Sequence, residues 1–82
     1  MIEMKYELTY TNPALNEFVQ ACDLGISGVE RVAIMTLKIK RDISEIDDDY
    51  INKLAKHIEA LPKVDGYKVS KAIYVGVKQI VD

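Results

Sequence analysis

Ile2-Glu3-Met4-Lys5-Tyr6-Glu7-Leu8-Thr9-Tyr10 is the stretch on which the fold turns. Ile2, Met4, Tyr6, Leu8 and Tyr10 point one way, and Glu3, Lys5, Glu7 and Thr9 point the other. Successive side chains of a strand alternate between faces, so nine residues of strict period two predict a strand with one buried face and one wet face.

Thr11-Asn12-Pro13 ends the strand and opens a helix. The Asn12 side chain can accept an orphan amide of the first turn, and Pro13 has no amide to leave unpaired there. Leu15, Phe18, Val19 and Cys22 follow at helical spacing as one apolar stripe. Gly25 is the expected stop, and 25–28 the expected loop. A second strand is predicted over 29–41. Ala33, Met35, Leu37 and Ile39 share one face. On the other face Val32 and Ile34 precede the polar Thr36, Lys38 and Lys40, so this strand starts apolar on both sides and something must cover Val32 and Ile34.

Ser44 and Asp47 resemble a capping box, and a second helix is predicted from there to about Leu61, with Ile51, Leu54, Ala55 and Ile58 as its core stripe, extended by Tyr50 and Leu61. Pro62 closes it and Asp65-Gly66 signals a turn. The third strand is predicted over 67–77, with Tyr67, Val69, Ile73, Val75 and Val77 on the core face and Tyr74 among the polar residues of the other. Gly76 marks a candidate bulge.

Helical connections between strands favour parallel crossovers, yet the first strand has a wet face that parallel sheets seldom show. The expected solution is an α+β, two-layer β-α-β-α-β domain: a three-stranded mixed sheet with both helices packed on one face. A ferredoxin-like-type sandwich is the looser alternative. All 82 residues form a single domain, because the chain is too short for two. At this size its own core gives a thin stability margin.

With 49% hydrophobic and 29% charged residues the chain has a globular composition. Its apolar runs reach only four residues, as in Val32-Ala33-Ile34-Met35, so no membrane span is expected, and the charged N-terminus does not read as a secretory leader. Cys22 is the single cysteine, which excludes an internal disulfide and suits a reducing, cytoplasmic setting. It is read as a small buried hydrophobe. Net charge is −2, but it is distributed in blocks: −4 over 1–30, +4 over 31–41, −5 over 42–52 and +3 over 53–82. This gives no whole-chain attraction to nucleic acid.

Asp47, Asp48 and Asp49 could serve as an acidic docking surface. They lack the ligand spacing of a calcium loop and suit the positive end of a helix, so no metal is expected. Lys38, Lys40, Arg41, Lys68 and Lys78, joined by Lys71, could form a basic patch if the second and third strands are neighbours; with Tyr74 among them, that face could bind single-stranded nucleic acid. His57 is the only histidine and falls at the edge of the helix stripe, with no nucleophile and orienting acid patterned around it. The glycines precede a strand and not a helix, so they do not form a phosphate loop. No catalytic set and no cofactor motif emerges.

The sequence therefore points to a non-catalytic protein-interaction or regulatory module, expected to be a homodimer or to bind another protein, with Val32, Ile34 and Tyr74 as interface residues. The alternatives are a small-ligand-binding regulatory domain with its mouth at 25–28, and single-stranded nucleic-acid binding through the basic face.

Overall fold

A computed structural model describes residues 1–23 and 28–80. The elements are β1 (Ile2–Thr11), α1 (Pro13–Ala21), β2 (Glu30–Ile39), a 3-10 turn over Ile43–Glu45, α2 (Asp48–Glu59) and β3 (Lys68–Gln79). The class is α+β. The three strands lie in the order β2-β1-β3, and both pairings are antiparallel, from Thr11 opposite Glu30 and Lys68 at one end to Ile2 opposite Ile39 and Gln79 at the other.

The expected mixed sheet is thus corrected to a wholly antiparallel one, for a reason of length. Helix α1 has nine residues, so it rises about 13 Å, whereas a ten-residue strand spans about 34 Å. It is too short to carry the chain back along the sheet. Instead the chain leaves β1, makes one short helix beyond the sheet end, and returns as the antiparallel β2. The twelve residues of α2, together with the segments flanking it, make the one long crossover, which passes over β1 and delivers β3 to its far side.

The alternation of β1 sets the core. Ile2, Met4, Tyr6 and Leu8 are buried, joined by Ile58 of α2 and Val69 of β3. Tyr50, Ile51, Leu54 and Ala55 of α2 pack against this cluster, as do Met35, Leu37 and Ile39 of β2. The Tyr6 hydroxyl donates to the Ile51 carbonyl oxygen at 2.8 Å, tying the central strand to the helix.

Only α2 lies on the sheet, so the expected pair of packed helices, and with it the ferredoxin-like-type sandwich, is not formed. Helix α1 begins as expected, with Asn12 Oδ1 accepting from the Leu15 amide at 3.1 Å and Pro13 in its first turn. It ends at Ala21 with Cys22 as its C-cap, and Asp23, at φ 51°, takes the left-handed position after it. The stop therefore comes before Gly25, which lies outside the described residues. On its apolar stripe only Val19 is buried; Phe18 is 60% exposed, and Leu15 and Cys22 are exposed. Cys22 is thus a surface thiol and not a core residue.

The start of α2 is also corrected. Asp47 is its cap, accepting from the Tyr50 amide at 2.8 Å. Ser44 belongs to the preceding 3-10 turn, which Asp42 caps by accepting from the Ser44 amide and hydroxyl. Asp65 and Gly66 both have positive φ, 53° and 81°, the pattern of a two-residue type I′ turn, and Val64 and Tyr67 exchange backbone hydrogen bonds across it at 2.9 Å each.

The molecule is long. Its extents are 51 × 21 × 19 Å and its radius of gyration is 16.0 Å, against about 12 Å for a compact domain of this length.

Candidate interaction surface

One face of the sheet carries α2 and the other is open. Across the open face the register aligns Lys38–Glu3–Lys78, Thr36–Lys5–Gly76, Ile34–Glu7–Ile73 and Val32–Thr9–Lys71. The middle column is polar throughout, so apolar side chains stand on either flank and not in the centre. Val32 and Ile34 on the β2 flank are 63% and 55% exposed. Ile73 and Val75 on the β3 flank are exposed as well. Neighbouring strands lie about 4.8 Å apart, which separates the flanks by roughly 10 Å with Glu7 between them. A partner laid flat on this face would have to desolvate Glu7 and Lys5, a cost that a contact along one flank avoids.

Ile73 and Val75 were expected in the core, and Tyr74 on the polar face. The register of β3 shifts between the partners of Lys5 and Tyr6 and again between those of Thr9 and Tyr10. Each shift inserts one extra residue and reverses which side chains face inward. Val69, Ala72, Tyr74 and Val77 consequently pack toward the core, with the Tyr74 ring edge-on to Tyr6 at 5.9 Å. Tyr74 is therefore not an open-face interface residue. The bulge between the partners of Lys5 and Tyr6 sits beside Gly76, the one sequence signal that foreshadowed it.

The two sheet edges differ. The β3 edge carries both bulges and Lys68, Lys71 and Lys78. Glu59 of α2 accepts from its Ala72 amide at 3.1 Å, and the Ser70 hydroxyl turns back to the Thr9 carbonyl. Bulges, lysines and covered amides are how an edge is kept from adding another strand. The β2 edge has none of this over Glu30–Leu37. It pairs with β1 through ten residues without a shift, contains no proline, and among the described residues has no strand on its outer side. Lys38 is the only lysine within it.

The basic residues do not form one patch, because β1 separates β2 from β3. Lys38 and Lys78 flank Glu3 at one end of the sheet, while Lys68 faces Thr11 at the other end, about 27 Å away along the strand. Lys78 Nζ lies 3.1 Å from Glu3 Oε2, and its hydrogen bond holds the Glu3 carboxyl below the usual carboxylate range. Arg41 pairs with Glu45 at 3.6 Å and stacks on Tyr50, and exposed Lys40 precedes it in the bend after β2. With Tyr74 turned inward as well, the arrangement offers no stacking platform among basic side chains.

Asp47, Asp48 and Asp49 are exposed at the start of α2. Asp47 is used as the cap and Asp49 pairs with Lys53 at 3.1 Å. Among the described residues no group of three or more His, Cys, Asp or Glu is placed to hold a metal ion, and no helix is long and apolar enough to cross a membrane. His57 is exposed on α2.

A cleft of about 390 Å³ opens at the end of the sheet where Tyr10 pairs with Arg31. Tyr10, Arg31, Ala33, Val64 and Tyr67 are among its walls, and the Arg31 guanidinium stacks 4.7 Å from the Tyr67 ring centroid. No sequence signal foreshadowed it, because the type I′ turn that forms one wall lies far along the chain from β2. Residues 25–27, expected at the mouth of a ligand site, lie outside the described residues.

Comparison of the chain with protein-family models, curated proteins and solved structures finds no match to any of them.

Proposed function

We propose that the chain is a non-catalytic interaction module that works as a homodimer, with β2 as its contact element. The observation that carries this reading is the state of β2: ten residues in unbroken register, an outer edge that carries no strand among the described residues, and Val32 and Ile34 left in water. An edge of that kind is a template for another strand, and adding one is a recurrent mode of protein association. The elongated shape supports the same reading, since a small chain that buries little of its own surface gains stability by pairing. The exposed Cys22 thiol fits a reducing compartment, and we place the module in the cytoplasm on that ground. Sedimentation velocity between about 1 and 200 µM tests the pairing. A concentration-dependent shift from 9.3 kDa toward twice that mass is expected; monomer throughout overturns the reading.

The cleft favours one second reading, a regulatory domain that binds a small ligand. Its apolar walls and the Arg31 guanidinium suit an aromatic or aliphatic carboxylate. The chain has no tryptophan, so its fluorescence comes from five tyrosines, of which Tyr10 and Tyr67 line the cleft. A saturable change with benzoate or a medium-chain fatty acid, lost in Arg31→Ala, supports this second reading; no change at millimolar ligand removes it.

A further inference from the structure

We propose that a second copy of the chain pairs with β2 antiparallel in one register, centred on Ile34, so that Glu30 of each copy faces Lys38 of the other. This rests on the homodimer reading and specifies its contact.

Symmetry restricts the choices first. Two antiparallel edge strands related by a two-fold axis must have that axis normal to the sheet, which makes the open faces of the two copies continuous. Residue i then faces residue j of the second copy with i + j even, and the residue on the axis faces itself. The midpoint of Glu30–Ile39 lies between Ile34 and Met35. Centring on either residue pairs about nine residues of β2, whereas centring on Ala33 pairs about seven.

Charge separates the two long registers. The open-face column of β2 reads Glu30, Val32, Ile34, Thr36, Lys38: an acid at one end, a base at the other and β-branched residues between. Centred on Ile34, this column matches its own reverse. Glu30 faces Lys38, Val32 faces Thr36 and Ile34 faces Ile34, combinations that favour cross-strand pairing. Centred on Met35, the apolar Val32 faces Lys38, and Glu30 faces Lys40 in the bend beyond the strand.

Glu30 and Lys38 are also free to engage. Among the described residues neither has an ion-pair partner, and Glu3, which stands opposite Lys38 on β1, is paired with Lys78. On the core face the same register sets exposed Ala33 against half-buried Met35, extending the apolar layer from one copy to the next.

The test is a charge swap combined with cross-linking. Glu30→Lys sets like charges opposite each other at both ends of the contact and is expected to raise the dimer dissociation constant about tenfold. Adding Lys38→Glu exchanges the two signs and is expected to bring the constant back to within about threefold of the starting value. Cross-linking is independent of charge: in a Cys22→Ser background Ile34→Cys is expected to oxidise to a covalent dimer. Thr36→Cys, about 14 Å from its counterpart in this register, is beyond disulfide reach and is expected not to. A dimer in which the swap gives no recovery, or in which Ile34→Cys does not cross-link, overturns the register and leaves the homodimer standing. A starting protein that stays monomeric overturns both.

Discussion

Replacing Tyr6 with phenylalanine isolates the link between the central strand and the helix above it. Tyr6 is fully buried, its hydroxyl donates to the Ile51 carbonyl at 2.8 Å, and its ring meets Tyr74 edge-on. Phenylalanine keeps the ring and its packing and removes only the hydrogen bond. The Ile51 carbonyl lies within α2 and retains its helical acceptor role, so no fully orphaned group is left, and the cost is that of one net hydrogen bond, about 0.5–1.5 kcal/mol. For a domain of this size that lowers the melting temperature by roughly 4–8 °C per kcal/mol. Tyr6→Ala removes the ring as well and is expected to cost about 3–5 kcal/mol, a large share of the total stability of a small domain. Urea unfolding followed by circular dichroism, at one fixed chain concentration because pairing adds to apparent stability, checks both values. The midpoint should fall in the order wild type, Tyr6→Phe, Tyr6→Ala, with the slope unchanged between the first two. A Tyr6→Phe variant as stable as wild type would refute the hydroxyl as a link between β1 and α2.

Two further predictions concern the turn and the wet face. Gly66→Ala places a side chain at φ 81°, with its Cβ 3.0 Å from Asn12 Nδ2; thermal unfolding should show a loss of about 1–2 kcal/mol from the left-handed conformation, and an unchanged melting curve would contradict the I′ turn. The Glu3 carboxyl titrates below its usual value near 4.5 because Lys78 hydrogen-bonds it. A depressed folded-state pKa contributes stability that is present above the unfolded value and lost as pH falls through the folded one. Lys78→Gln should therefore reduce the loss of stability seen on acidification below about pH 4.5, and an acid limb identical to that of wild type would show that the pair contributes nothing.

The buried side of β1 was legible from alternation alone, since Ile2, Met4, Tyr6 and Leu8 needed only a strand and one covered face. Asn12-Pro13 and Asp65-Gly66 were legible for the same kind of reason: a cap and a tight turn depend on a few neighbouring residues, though the type I′ geometry comes from the backbone angles. Strand direction was not, because it depends on whether a connecting helix can span the sheet, and the end of α1 at Ala21 was overestimated by placing the stop at Gly25. The faces of β3 were misread because two inserted residues, at positions 70 and 75, reverse a pattern whose period is only two. Of the candidate contact residues, Val32 and Ile34 stand exposed where the pattern placed them. Tyr74 fell on the wrong side of a bulge, and the basic residues were divided by a strand order that local sequence does not encode.

Amide hydrogen exchange along β2 at low and high chain concentration tests the central claim most directly. Alternate amides of Glu30–Ile39 point inward to β1 and outward to the open edge. The inward set should be protected at every concentration. The outward set should exchange freely near 1 µM and become protected near 200 µM, as a second copy takes up the edge. Outward amides that exchange freely at both concentrations would contradict the assignment of β2 as the contact element.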